Sequence, residues 1–162
     1  MTVGFEVLTK GLDEALLAIE GIANAPTGDL MEGIGRLVQG QTRRRITSEK
    51  TSPGGAAWQA NRARTSTLYK SGALSDSIDY QASAASVLVG SGLVYSRIHQ
   101  YGGVIKPKNG SALKFWWVSG GFTNFAIVKS VTMPARPYLG LSADNQNEIV
   151  ETTEDWLSRL VQ

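Results

Sequence analysis

The only histidine of the 162-residue chain, His99, lies in the stretch RIHQYGG at residues 97–103. An imidazole can act as a general base near neutral pH when a nucleophile and an orienting carboxylate lie beside it. The acidic residues cluster toward the two ends of the chain, and only Asp76 and Asp79 fall in the region of predicted strands. The sequence therefore favours a structural corner at His99 over a catalytic site.

Motifs of catalytic or ligand-binding chemistry are missing elsewhere too. The sequence contains no GxSxG elbow, no Walker loop, and no HExxH or other spaced set of metal ligands. The glycine-rich VGSGLV at 89–94 lacks the following helix and acidic residue that a phosphate cradle needs. The absence of cysteine excludes disulfides and thiolate metal sites. We expect no enzyme activity, no catalytic, cofactor-binding or metal-ligating residues, and no cofactor.

The composition is that of one globular domain over residues 1–162. A chain of this length buries about two-thirds of the surface that its unfolded form exposes. With 42% hydrophobic and 19% charged residues, it belongs with folded rather than disordered sequences. The start lacks a basic and then apolar leader, and no apolar run reaches the about 18 residues of a membrane helix. We expect a soluble, cytosolic protein.

Positive charge is concentrated between Thr42 and Lys70. This stretch has seven basic residues and one acidic residue, Glu49, so it carries +6 while the remainder of the chain carries −4. Its basic residues are Arg43, Arg44, Arg45, Lys50, Arg62, Arg64 and Lys70.

Residues 47–70 form the predicted mobile loop of the domain, because turn-forming residues abound there and no apolar period survives. Three interpretations are open. The loop could hold nucleic acid through phosphate contacts and stacking on Trp58, order against an acidic protein partner with Trp58 as the anchor, or be a solvated linker. An indole in a polar, glycine-flanked loop needs something to cover it, which favours binding.

Apolar periodicity predicts helices near both ends of the chain. Leu12, Leu16 and Ile19 follow helical spacing in a first helix that Pro26 ends, and a short edge strand is expected over residues 3–8. Thr27 is the predicted N-cap of a second helix that runs into the arginine triplet, and Ser142 is that of the last helix.

Between these helices, alternation predicts two hairpins. SIDYQ pairs with SVLVGS, and LKFWWV pairs with FAIVKSV across a Ser-Gly-Gly turn. In the second hairpin Phe115 and Trp117 face the core, whereas Trp116 faces away and is a candidate interface residue. The order of elements predicts an α+β fold with an antiparallel β-sheet of hairpins packed with N-terminal helices and a C-terminal helix.

VYSRIHQYGG is predicted to form a short helical turn that ends at Gly102-Gly103. Gly102 takes a positive φ there, and the His99 ring packs and hydrogen-bonds a backbone carbonyl. Pro134 and Pro137 preclude regular helix or central strand between them.

Five stretches in this order together resemble one known family, the phage virion morphogenesis family of the Mu type. They are PGGAAW (53–58), KSGALSDSI (70–78), YSRIHQYGG (95–103), IKPKNGSALKF (105–115) and SVTMPARPYLGLS (130–142). The residues that match the family pattern are His99, Gln100, Tyr101, Gly102, Pro134, Arg136, Pro137 and Tyr138. Typical members carry Thr-Gly-Arg-Leu where this chain has Ser71-Gly72-Ala73-Leu74. The resemblance covers about two-thirds of the chain.

The resemblance implies a structural virion protein, a tail-completion or head–tail joining component of the neck. Such proteins look like ring formers, commonly six-fold, between the head connector and the tail. The implied partners are further copies of the chain, the head connector or adaptor, and the tail tube or terminator proteins, with packaged DNA nearby and no membrane. The protein would be in the neck or tail of the virion, and in the host cytoplasm during assembly. A tail terminator that caps the tail tube, or a nucleic-acid-binding module using residues 43–70, are the alternatives.

A ring requires heterologous contacts between different faces of neighbouring subunits. The acidic C-terminal helix of one subunit could meet the basic 43–70 segment of the next, and this segment would order on assembly. The interface candidates are Arg43, Arg44, Arg45, Trp58, Arg62, Arg64, Lys70 and Trp116.

Overall fold

The computed structural model describes residues 11–61 and 65–160, and these form an α+β fold, as expected. The helices are α1 (Leu12–Ala23), α2 (Thr27–Arg44), α3 (Ala73–Asp76), α4 (Ser96–Tyr101) and α5 (Ala143–Leu160). A π-helical turn at Arg45–Glu49 continues α2. The strands are β1 (Ile78–Ala82), β2 (Val87–Ser91), β3 (Gly103–Ile105), β4 (Leu113–Ser119), β5 (Phe122–Val128) and β6 (Val131–Met133). The edge strand predicted at residues 3–8 lies outside the described residues.

Both predicted hairpins are confirmed, β1 with β2 and β4 with β5, each antiparallel. The described strands nevertheless form three separate two-stranded pairs rather than one sheet, the third being β3 with β6. β3 and β6 have three residues each. Gly102 precedes β3 and Pro134 follows β6, so this pair is too short to join the two hairpins into a continuous sheet.

The two predicted N-caps differ in outcome. Ser142 caps α5, since its hydroxyl oxygen accepts the N–H of Asn145 at 3.1 Å. Thr27 does not cap α2. Pro26 occupies the cap position, and the Thr27 hydroxyl donates instead to the carbonyl of Ala84 at 2.8 Å, which ties the helix start to the β1–β2 turn.

Helix α2 lies across the β1–β2 hairpin and beside α5. Gly35 allows the closest approach, because a Cβ at this position would lie 2.3 Å from Cδ2 of Tyr80. Further along, the Gln39 amide donates to the carbonyl of Ile78 at 2.8 Å. A glycine on one helix face and a tyrosine ring on the strand therefore set the spacing between helix and hairpin.

The buried core is small and assembled from distant parts of the chain. Its members are Ile46 from the π-helical turn, Trp58, Leu74, Ile78 and Tyr138. By contrast, the apolar face of α1 is present as its spacing predicts but lies uncovered: Leu12, Leu16 and Ile19 are 51%, 49% and 62% exposed. The helix prediction is confirmed, yet its apolar face has no cover from the described chain.

Candidate protein-interaction site

The corner at His99 begins with the end of α4. The Gly102 N–H donates to the Ile98 carbonyl at 3.0 Å, and Gly102 has the predicted positive φ, at 69°. A Cβ at this position would lie 2.7 Å from the backbone nitrogen of Ala135. The glycine is required both by its φ and by the backbone that passes against it.

The His99 ring packs edge-on to Tyr95, with 5.9 Å between ring centroids. Its Nδ1 is buried and finds no hydrogen-bond partner among the described residues, so the predicted bond to a backbone carbonyl is not made through this atom. The His99 carbonyl instead accepts the N–H of Arg136 at 2.7 Å. Burial, with the nearby charge of Arg136, lowers the pKa of His99. The imidazole is therefore a neutral packing group beside a fixed turn.

The segment PARPYLG, residues 134–140, lies directly against this corner. The Gln100 side-chain carbonyl accepts the N–H groups of Tyr138 at 2.9 Å and of Leu139 at 3.0 Å, and its amide donates to the Leu139 carbonyl at 3.1 Å. The Tyr138 hydroxyl donates to the Ser96 carbonyl at 3.2 Å, and burial raises the pKa of Tyr138. One glutamine thus satisfies three backbone groups of a proline-interrupted segment that has no strand partner.

Residues 53–60 pack on the other side of PARPYLG. The Trp58 indole N–H donates to the Pro137 carbonyl at 3.0 Å, and Arg136 Nε donates to the Gln59 carbonyl at 2.8 Å. Trp58 is only 9% exposed. The expectation that Trp58 waits for a partner to cover it is therefore wrong, because the PARPYLG segment of the same chain covers it.

The arginine triplet is also bonded within the chain. Arg45 is 2% exposed, and its guanidinium donates to the carbonyls of Tyr138 at 2.9 Å and Gly140 at 2.8 Å and to the Asn145 side chain. Arg43 donates to the Ile78 carbonyl at 2.8 Å. Arg45, at the start of the π-helical turn, is therefore buried, and Arg43, near the end of α2, is half-buried against β1.

Arg44 is the triplet member that meets α5. It pairs with Glu49 at 2.8 Å and with Glu148 at 3.2 Å. A hydrogen bond from Gln41 and the bonds to Arg44 lower the pKa of Glu148. The pairing of basic segment and acidic helix predicted between subunits is thus made at Arg44 inside one subunit, because α2 and α5 lie side by side.

The other described basic residues of this stretch, Lys50 and Lys70, differ in their surroundings. The Lys50 ammonium donates to the carbonyls of Ile46 and Thr67, whereas Lys70 is exposed. Arg62 and Arg64 lie outside the described residues.

The β4–β5 hairpin has the opposite character. On its outer face the register places Trp116 opposite Phe125 and Lys114 opposite Ile127. Trp116 is 74% exposed and Phe125 is 60% exposed, and Val118 and Ile127 beside them are exposed as well. The prediction that Trp116 faces away from the core agrees with this placement, and an exposed apolar face of this kind marks a contact surface.

The inner face of the hairpin borders a cleft of about 1070 Å³. Phe115 and Trp117 line it, as do Tyr95, His99 and Tyr69 from the body of the domain. Alternation correctly placed Phe115 and Trp117 on one face. The prediction that this face packs into a closed core is wrong for Trp117, which is 37% exposed. The hairpin pairs with no other described strand, and its inner face borders this open cleft.

Sequence reasoning missed most of the exposed outer face of the β4–β5 hairpin. It selected Trp116 alone, although the alternation in FTNFAIV after the Ser-Gly-Gly turn placed Phe125 and Ile127 on the same face. The available signal was that both strands carry apolar residues on both faces. A hairpin with one face in solvent needs apolar residues only on the face that packs against the core.

Within residues 11–61 and 65–160, no group of three or more His, Asp or Glu side chains is placed to hold a metal ion. None of the helices in this part of the chain is long and apolar enough to cross a membrane.

The residues around PARPYLG thus form a hydrogen-bonded hub within the chain, and exposed apolar faces lie elsewhere on the described part of the molecule. A sequence model of the phage virion morphogenesis family matches residues 6–158, so the chain belongs to this family and the resemblance is confirmed. No curated protein and no solved structure gave a match. Membership indicates a structural protein of the virion rather than an enzyme.

Proposed function

We propose that the protein is a tail-completion or head–tail joining component of the neck, assembled as a ring between the head connector and the tail. The observation that carries this proposal is the exposed apolar outer face of the β4–β5 hairpin, with Trp116 and Phe125 at its centre. In a virion protein, such a face serves contact with other proteins.

The ring form is supported by two different apolar faces that residues 11–61 and 65–160 leave uncovered. A ring subunit needs one surface for each neighbour, and the two must differ and complement each other. The outer face of the hairpin is one such surface, and the apolar face of α1 is another. The proposed partners are further copies of this chain, a head connector or adaptor, and tail tube or terminator proteins. Ordering of residues 47–70 on assembly stays a prediction.

A nucleic-acid-binding module is less well supported. In the described part of residues 43–70, Arg43, Arg44, Arg45 and Lys50 bond to groups of the same chain. Phosphate contacts need cations that are free to neutralise the backbone. We therefore expect no tight binding of short duplex DNA, and any weak binding should disappear as the salt concentration rises.

The proposed function can be tested with a phage that lacks the gene, examined by electron microscopy of lysates. Heads and tails should accumulate separately, and the wild-type protein should restore joined particles. The double variant Trp116→Ser with Phe125→Ser should fail to restore them, whereas Leu88→Ser, at an exposed apolar residue of β2, should succeed. Normal joined particles without the protein would refute the proposal, and tails of uncontrolled length would favour the tail terminator.

A further inference from the structure

The chain has a basic region, residues 80–143, and an acidic region made of helices α1 and α5. Residues 80–143 contain no aspartate or glutamate, and their basic residues are Arg97, Lys106, Lys108, Lys114, Lys129 and Arg136. Helix α1 contains no basic residue, and α5 has five acidic residues against Arg159 alone. Because Arg136 is buried in the hub, the exposed lysines in and around the β4–β5 hairpin provide much of the solvent-exposed positive charge of residues 80–143.

The outer face of β4–β5 combines this charge with apolar area. Lys114 is exposed and lies on the same face as Trp116 and Phe125, opposite Ile127. Lys129 follows directly after β5 and is exposed as well. The face therefore has an aromatic pair at its centre, aliphatic residues beside it, and positive charge at the end where β4 begins and β5 ends.

The apolar face of α1 has the complementary chemistry. Leu12, Leu16 and Ile19 share one side of the helix, and the exposed Glu20 lies beside them. α5 packs on the other side of α1, since a Cβ at Gly21 would be 3.4 Å from the Leu160 carbonyl and Gly21 lies opposite Leu12 and Leu16 on the helix. The end of α5 therefore does not cover the apolar face, which has Glu20 at its edge.

The two faces also agree in length. α1 has 12 residues and is about 18 Å long at the α-helical rise. β4 and β5 have seven residues each and are about 23 Å long at the strand rise. A helix of this length can lie along the outer face of the hairpin, with its leucines against Trp116 and Phe125.

We propose that the outer face of β4–β5 in one copy docks on the apolar face of α1 in a second copy, with Lys114 directed at Glu20 of α1. This inference rests on the proposed function and names the contact through which the ring subunits meet. Each copy carries both faces, so the contact is heterologous and continues from copy to copy. Trp116 is the anchor, because buried tryptophans contribute most to such interfaces.

Cysteine cross-linking tests this contact directly, because the chain has no cysteine of its own. The variants Leu16→Cys and Phe125→Cys are prepared separately and mixed with a short bismaleimide. The mixture should give a cross-linked dimer, and neither variant alone should give one. Adding Trp116→Ser to Phe125→Cys should abolish the cross-link. Leu88→Cys, from an equally apolar exposed position outside both faces, is the matched control and should not cross-link to either variant.

Several results would overturn the inference. A dimer of Phe125→Cys alone would indicate an isologous contact of hairpin with hairpin. A protein that is multi-subunit by light scattering but shows no cross-link in the mixture would have its interface elsewhere, and a protein that stays a monomer makes no such contact. Binding of phospholipid vesicles that depends on Trp116 would assign the face to lipid. The proposed function fails independently, through joined particles in the phage that lacks the gene.

Discussion

The hub around PARPYLG and the β4–β5 hairpin both contain aromatic residues, yet they differ in how these side chains are covered. In the hub, Trp58 and Tyr138 are buried and hydrogen-bonded to backbone carbonyls. In the hairpin, Trp116 and Phe125 are left in solvent. The difference separates what the subunit needs to fold from what it leaves for other proteins to cover.

In the hub, a histidine, a tyrosine and two arginines lie close together and form hydrogen bonds within the chain. The backbone groups of His99 and Tyr138 are held by Arg136 and Gln100, and Arg45 bonds to the carbonyls of Tyr138 and Gly140. Such groups fix the path of a segment that has no strand partner. The residues of the family motif therefore hold the PARPYLG segment in place.

Replacing the two tryptophans should give the largest contrast between the regions. Trp58→Ala should lower the free energy of unfolding by about 3–5 kcal/mol, because it empties a core position and removes the bond to Pro137. Trp116→Ala, on the exposed face, should change it by no more than about 0.5 kcal/mol. Urea unfolding of both variants measures this, and equal losses would contradict the distinction between hub and hairpin.

The adjacent arginines provide the second contrast. Arg45→Met should cost about 3 kcal/mol, since it leaves two buried carbonyls and the Asn145 side chain without their donor. Arg44→Ala removes solvent-exposed ion pairs and should cost less than about 1 kcal/mol. Urea midpoints of the two variants should differ accordingly. A harmless Arg45→Met would show that the buried guanidinium does not hold PARPYLG in place.

Gly102→Ala should have an intermediate effect, a loss of about 2 kcal/mol, because it combines a positive φ with a collision against the Ala135 backbone. Gly55→Ala is the matched control. Gly55 has φ 83° but no atom within 4 Å of an added Cβ, so its loss should be about 1 kcal/mol. Thermal unfolding of both variants separates the effect of φ from that of crowding. Similar losses would mean that the close approach of Ala135 is relieved without cost.

The pH response of His99 should be the smallest effect. Its pKa in the folded protein lies below the ordinary value of 6.5, so the unfolded chain binds more protons just below that pH. The free energy of unfolding should therefore fall as the pH decreases through this window. His99→Gln should reduce the slope. Urea midpoints at about pH 7.5 and about pH 5.5 measure it, and a wild-type protein that gains stability on acidification from this group would contradict the assignment.

Local patterns predicted the elements of the fold but not the way they close. The alternating strands, the Ser-Gly-Gly turn and the glycine stop after α4 are set by residues next to one another, and these predictions are confirmed. The burial of Trp58 depends on Pro137, 79 residues away, and that of Arg45 on Tyr138, 93 residues away. Both lie in polar or basic surroundings in the sequence, so nothing local indicates that they are buried.

The interaction site was predicted least well, for a related physical reason. A basic stretch and a lone tryptophan suggested a binding loop, whereas Arg43, Arg45 and Trp58 bond within the chain. Among residues 11–61 and 65–160, no third strand lies beside β4–β5 and no other element covers the apolar face of α1. An apolar face looks the same in the sequence whether its own chain or another chain covers it.

The most direct test of the central claim is the molar mass of the protein in solution, measured by size exclusion with light scattering. The wild-type protein should be multi-subunit in moderate salt, and the double variant Trp116→Ser with Phe125→Ser should be a monomer with an unchanged urea midpoint. Equal masses for the two proteins, with the fold intact in both, would show that the outer face of the hairpin is not the surface through which the subunits assemble.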